Sequence, residues 1–151
     1  MKLASTLLLV AGLLLMSGRP VEAQALRLTV SGSPATMTIS TIPSAGQGPT
    51  AVVDASTSYR VTALLQPQKI TASLNAPMPV GVTLTAQFDA PLGAMSNGAV
   101  ALDATTRDLV TNISNVLNSR NAITYTLSAT VAAGVIPLQS RTVLLTLVNY
   151  P

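Results

Sequence analysis

The sequence predicts an all-β domain that follows an N-terminal signal peptide. Three observations carry this: apolar residues recur at every second position in one run after another, turn-forming residues punctuate those runs at short intervals, and a short apolar segment closes on small residues near the N-terminus.

The N-terminal segment comes first in the chain. Lys2 supplies a positive charge, Leu7 to Met16 form an apolar run broken by Ala11 and Gly12, and Ser17, Gly18 and Pro20 interrupt it. Val21-Glu22-Ala23 then offers the short residues that a signal peptidase reads, with cleavage expected after Ala23 and, as the alternative, after Ala25. A membrane-spanning helix needs about 20 apolar residues, and this run is about half that. The expected division is therefore a signal peptide at 1–23 and a single β-sandwich domain at 24–151, in a protein that is secreted, periplasmic or at the cell surface, with no membrane span in the mature chain.

The composition of residues 24–151 narrows the function. Cleavage removes Lys2, Arg19 and Glu22, leaving the basic residues Arg27, Arg60, Lys69, Arg107, Arg120 and Arg141 and the acids Asp54, Asp89, Asp103 and Asp108. The basic residues form no run in the sequence, which gives nucleic-acid or anionic-membrane binding little support. Cysteine is absent from the whole chain, so stability must come from sheet packing without disulfides. Ala, Thr, Ser, Val and Leu dominate what remains, a composition suited to sheets with hydroxyl-rich outer faces.

The strands follow in order. Leu26, Leu28 and Val30 alternate with Arg27 and Thr29; Met37 and Ile39 alternate with Thr36, Thr38 and Ser40. Tyr59, Val61, Ala63 and Leu65 form the next apolar set, then Ile70, Ala72 and Leu74, then Val82, Leu84, Ala86 and Phe88. Ile123, Tyr125, Leu127 and Ala129, and finally Val143, Leu145 and Leu147, complete the pattern. Each run places apolar side chains on one face and mostly polar ones on the other, as in a sheet with one buried face. Ser31-Gly32-Ser33-Pro34, the stretch from Pro43 to Pro49, Gln66-Pro67-Gln68, Ala76 to Gly81 and the turn dipeptide Asn97-Gly98 separate the runs. Between Arg107 and Asn118 the pattern supports a strand over Asp108 to Ile113 followed by an asparagine-rich turn, with a short helix as the competing reading. Seven to eight short strands at this spacing predict an immunoglobulin-like β-sandwich.

Catalytic chemistry is nearly absent. Residues 24–151 hold no His, Cys or Glu, which excludes Ser–His–Asp and Cys–His arrangements and leaves zinc and the common transition metals without their ligands. The expectation is that the protein is not an enzyme, with no catalytic, cofactor-binding or metal-binding residue assigned and no cofactor. The nearest acid pair in sequence, Asp103 and Asp108, reads as turn residues, and a calcium site from Asp103, Asp108 and Asn112 does not match an EF-hand loop. Tyr59, Phe88 and Tyr125 are in phase with core positions rather than placed as sugar platforms, and Asn112-Ile113-Ser114 fits a glycosylation sequon.

Two segments suggest assembly. The last strand, Arg141 to Tyr150, is apolar at Val143, Leu144, Leu145, Leu147 and Val148, so it reads either as a central strand covered on both faces or as a bare edge ready to pair with another chain. Gln24 to Val30 reads either as strand one of a complete domain or as an extension that completes a neighbour.

The signal peptide, the Leu26–Val30 extension and the alternating C-terminal strand ending at Tyr150 together resemble secreted bacterial β-sandwich proteins of the pilin kind, namely subunits of chaperone–usher fimbriae and the spore-coat-U-like secreted proteins. The resemblance is one of architecture. It implies an immunoglobulin-like fold that lacks one strand, supplied by the next subunit's N-terminal extension, and a role as a structural or adhesive surface protein whose partners are other subunits or further copies of itself. The cysteine pair common in such subunits is missing. The alternative is a self-contained secreted or periplasmic binding module for a protein, a glycan or calcium.

Overall fold

A computed structural model describes residues 26–151; the expected signal peptide lies outside the described residues. In chain order the strands are β1 (Leu26–Ser31), β2 (Val52–Ala63), β3 (Gln68–Leu74), β4 (Val82–Phe88), β5 (Met95–Ser96), β6 (Ala99–Leu102), β7 (Arg107–Ile113), β8 (Val116–Ala129) and β9 (Val143–Asn149), with one 3-10 turn at Val131–Ala133. They form two antiparallel sheets, a five-stranded one in the order β1-β2-β8-β4-β6 and a four-stranded one in the order β5-β7-β3-β9. The fold is therefore all-β and sandwich-like, with nine strands among the described residues where seven to eight were expected. The short β5 and β6 are added to the expected set, and the expected Thr36–Thr41 run is lost from it.

The alternation explains the packing. Tyr59, Val61 and Ala63 on β2, Ile123 and Tyr125 on β8 and Ala86 and Phe88 on β4 point inward from the larger sheet. Ile70, Ala72, Leu74, Leu109, Val110 and Ile113 meet them from the smaller sheet, and together they form one continuous core. Tyr59 and Phe88 stack at its centre with ring centroids 5.3 Å apart in a tilted arrangement. Each large apolar side chain buried in this way contributes about 1.5–3 kcal/mol, which is how a chain without disulfides holds two sheets together.

Arg107–Ile113 is a strand followed by a turn, as the pattern favoured, β8 starts already at Val116, and the short helix is not formed. Only Ser114 and Asn115 separate β7 from β8, yet these strands belong to different sheets. Three asparagines make the crossing: Asn112, Asn115 and Asn118 all have positive φ, at 55°, 53° and 51°. Asn112 and Asn118 sit beside register shifts in the β3–β7 and β2–β8 ladders. A bulge bends and twists its strand, and asparagine tolerates the left-handed conformation better than most residues, so the pair of bulges swings the chain from one sheet to the other.

The alternating stretch Thr36–Thr41 is not a strand. Residues 32–42 have no ladder partner, although Met37 and Ile39 are half-buried and Met37 packs on the core. Pro34, Pro43 and Pro49 deprive this region of backbone donors on both sides. A single link, Thr50 N–H to Thr41 O at 2.8 Å, joins its two arms. Gly32, at φ +85°, makes the turn out of β1; a Cβ there would lie 2.8 Å from the backbone oxygen of Ser56.

Candidate functional site

The feature with the clearest capacity for interaction is the side of the molecule where β1 and β9 end their sheets. β9 pairs with β3 alone, from Gln68 opposite Asn149 to Leu74 opposite Val143. β1 pairs with β2 alone, from Leu26 opposite Ala63 to Ser31 opposite Ser58. The two edge strands run close to each other without pairing.

The orientation of the β9 backbone follows from the bonds that flank its ladder. Asn75 N–H donates to Thr142 O at 3.0 Å, and Tyr150 N–H donates to Pro67 O at 2.9 Å. In an antiparallel pair the hydrogen-bonded positions alternate, so residues 142, 144, 146, 148 and 150 turn their peptide groups toward β3. The N–H and C=O groups of Val143, Leu145, Leu147 and Asn149 point the other way, along the free edge. The side chains of Val143, Leu145 and Leu147 pack against the core but stay only partly buried. Across the gap, Leu28 is half-buried and Leu26 and Val30 are exposed, although all three share the inward face of β1. An apolar groove thus lies beside a row of unpaired peptide groups.

Of the two readings of the last strand, the edge is the one realised. Leu144, on the outer face, is exposed, so that face of β9 is not covered. Of the two readings of the N-terminal segment, Leu26–Ser31 is strand one of its own domain, paired along its whole length. The sequence signal for the edge is the unbroken apolar stretch of β9. Which residues offer their peptide groups is set by the register with β3 and has no trace in the sequence.

The acids are placed apart from this groove. Asp103 accepts from Arg107 at 2.6 Å and from the Thr105 N–H at 2.7 Å, which holds its carboxyl below the usual carboxylate range. Asp108 meets Lys69 at 3.1 Å. The Ser56 hydroxyl and N–H lower Asp54 in the same way. Asn112 sits on the β7 bulge with its side chain exposed. No cluster of three or more acidic, His or Cys side chains able to hold a metal occurs among the described residues. Tyr59, Phe88 and Tyr125 are buried, as their phase predicted. Burial pushes the Tyr59 hydroxyl far up, with the Asp89 charge adding to it, and Tyr125 is raised by burial and then by Asp54.

No family model, curated protein or solved structure matches this chain.

Proposed function

We propose that this protein is an exported, non-enzymatic surface protein of immunoglobulin-like topology, structural or adhesive in role, whose copies assemble by strand addition at the free edge of β9. The observation that carries the reading is the coincidence, on one strand, of outward peptide groups at Val143, Leu145, Leu147 and Asn149 with core-facing side chains left half-covered. An incoming strand would satisfy both at once, since main-chain bonds supply affinity and alternate side chains fill the groove.

The proposed donor is the Leu26–Ser31 segment of a second copy. Its apolar residues recur with the same period as those of β9, and a single neighbour holds it in its own sheet. Moving it to another chain exchanges one ladder for another and adds apolar burial. The scarcity of charge in residues 24–151 supports the same reading, because few like charges oppose the packing of copies.

Size-exclusion chromatography with light scattering, run at several concentrations on the chain beginning at Gln24, tests this. Heat-resistant oligomers are expected, and deletion of residues 24–31 should abolish them. Leu145→Pro should do so too, because it removes an outward N–H and no bond to β3, a position where an edge strand tolerates proline. A reversible monomer at every concentration, unaltered by either change, overturns the reading.

A further inference from the structure

One end of the molecule gathers exposed leucines and basic residues that the sequence scatters over almost a hundred positions. Leu26 and Val116 both stand opposite Ala63, the last residue of β2. Leu64 and Leu65 follow Ala63 directly, and Leu117 follows Val116. Leu65 is 76% exposed and Leu117 is 73% exposed; Leu26 and Leu64 are exposed as well. Tyr150 joins them, because its N–H bonds to Pro67 O in the connection between β2 and β3. The residue is exposed.

Just behind this tip lie three arginines on the outer face of the larger sheet. Arg27 stands opposite Thr62, Thr29 opposite Arg60, and Arg60 opposite Arg120. Among the described residues, Arg60 bonds only the Asn118 side-chain oxygen, at 3.4 Å, and Arg120 only the Ser58 hydroxyl, at 3.2 Å. The other described cations are otherwise occupied: Lys69 and Arg107 pair with Asp108 and Asp103, and Arg141 binds the carbonyls of Pro77 and Ser140. The described aspartates lie away from the tip. Asp103 accepts from Leu74 N–H at the far end of β3, Asp108 is opposite Thr71, and Asp54 is near the far end of β2. Asp89 is level with Ala122, farther from the tip than Arg120, and pairs with no described cation within 4.0 Å.

We infer that this end docks on the surface of an anionic lipid bilayer, with Leu65 and Leu117 entering the interface and Arg27, Arg60 and Arg120 meeting the lipid phosphates. The spacing fits. Arg60 is three residues from Ala63, or about 10 Å along an extended strand, with Arg120 level with it, and an apolar face of this kind sinks about 5–10 Å into the headgroup boundary. Leucine at the tip, a tyrosine beside it and arginine above is the order in which a bilayer changes from hydrocarbon to charged surface. An acidic polymer would use the arginines but leave the leucines exposed; a second copy would cover the leucines but bring few carboxylates to the arginines. Peripheral docking needs no spanning segment, and no helix among the described residues is long and apolar enough to cross a membrane.

The test is co-sedimentation of the chain with vesicles of phosphatidylcholine and phosphatidylglycerol, against vesicles of phosphatidylcholine alone. Binding to the anionic vesicles that weakens with added salt is expected. Leu65→Ser with Leu117→Ser should weaken it by roughly tenfold per leucine, as loss of most of a leucine's burial requires. Arg60→Gln with Arg120→Gln should weaken the preference for anionic lipid by roughly fivefold per arginine, leaving the share of Arg27. All four side chains are exposed, so melting temperatures no lower than the parent's are expected. As a second readout, Leu65→Trp places the sole tryptophan of the chain at the tip, and its emission should shift to the blue with anionic vesicles. Absence of binding, binding equal on neutral vesicles and indifferent to the arginine changes, or leucine changes that alter only the oligomeric state each overturn the proposal. Leu145→Pro on β9 leaves vesicle binding intact, which separates this inference from strand addition.

Discussion

Arg60 on β2 and Arg120 on β8 are direct cross-strand partners, with no described carboxylate within 4.0 Å of either. Like charges directly opposite on a sheet are destabilising, by amounts comparable to the roughly 0.2–1 kcal/mol that opposite charges contribute. Arg120→Glu should therefore raise the melting temperature by a few degrees, with a gain that shrinks as salt is added. Thermal melts at low and high ionic strength check this, and a lower melting temperature at low salt contradicts it.

Tyr59 donates its buried hydroxyl to the backbone oxygen of Asp89. Tyr59→Phe strands that carbonyl and should cost about 1–3 kcal/mol, read as a shift in the denaturation midpoint with an unchanged slope. The same hydroxyl predicts alkaline sensitivity. Burial raises its pKa from the ordinary 10.0, so the folded protein keeps the proton after the unfolded chain begins to release it. Stability should be unaffected by this group below about pH 10 and fall progressively above it. In Tyr59→Phe this component of the fall should disappear, leaving the smaller one from Tyr125, which burial also raises.

Gly32→Ala should destabilise through two effects at one position. The φ of +85° is disfavoured for alanine, and the new Cβ would come 2.8 Å from Ser56 O. The expected cost is about 1–3 kcal/mol, concentrated on β1. Hydrogen exchange should show faster exchange over Leu26–Ser31 than over β8; uniform protection in both would refute the local effect.

Phe88→Ala removes a fully buried ring from the stack with Tyr59. The expected loss is about 3–5 kcal/mol, a large fraction of the margin of a domain this size. Leu92→Ala, at a fully exposed position, should change the midpoint by less than about 0.5 kcal/mol. Chemical denaturation of the two variants gives the comparison.

Strands were legible wherever alternation met a real partner. Val82–Phe88 and Ile70–Leu74 show it, since inward residues there are the apolar ones. The same signal misled at Thr36–Thr41, because alternation records which side chains prefer burial but not whether a neighbouring strand is available to pair with. β8 begins seven residues before the Ile123 run that announced it, since its first half carries the Asn118 bulge, which breaks the period. Of the candidate site, the apolar character of β9 was visible in advance. Its edge position was not, and neither was the gathering of Arg27, Arg60 and Arg120.

By itself the sequence determined local facts: that the chain makes strands, that Tyr59, Phe88 and Tyr125 face inward, and that residues 24–151 lack the side chains for common catalysis. These follow from chemistry within a few residues. Only the tertiary structure decided that β9 ends its sheet, that Val143, Leu145 and Leu147 turn their peptide groups outward, and that Leu65, Leu117 and Tyr150 share one tip. The physical reason is that strand order and register are settled between residues far apart in the chain, by which pairing buries the most apolar surface while satisfying the backbone.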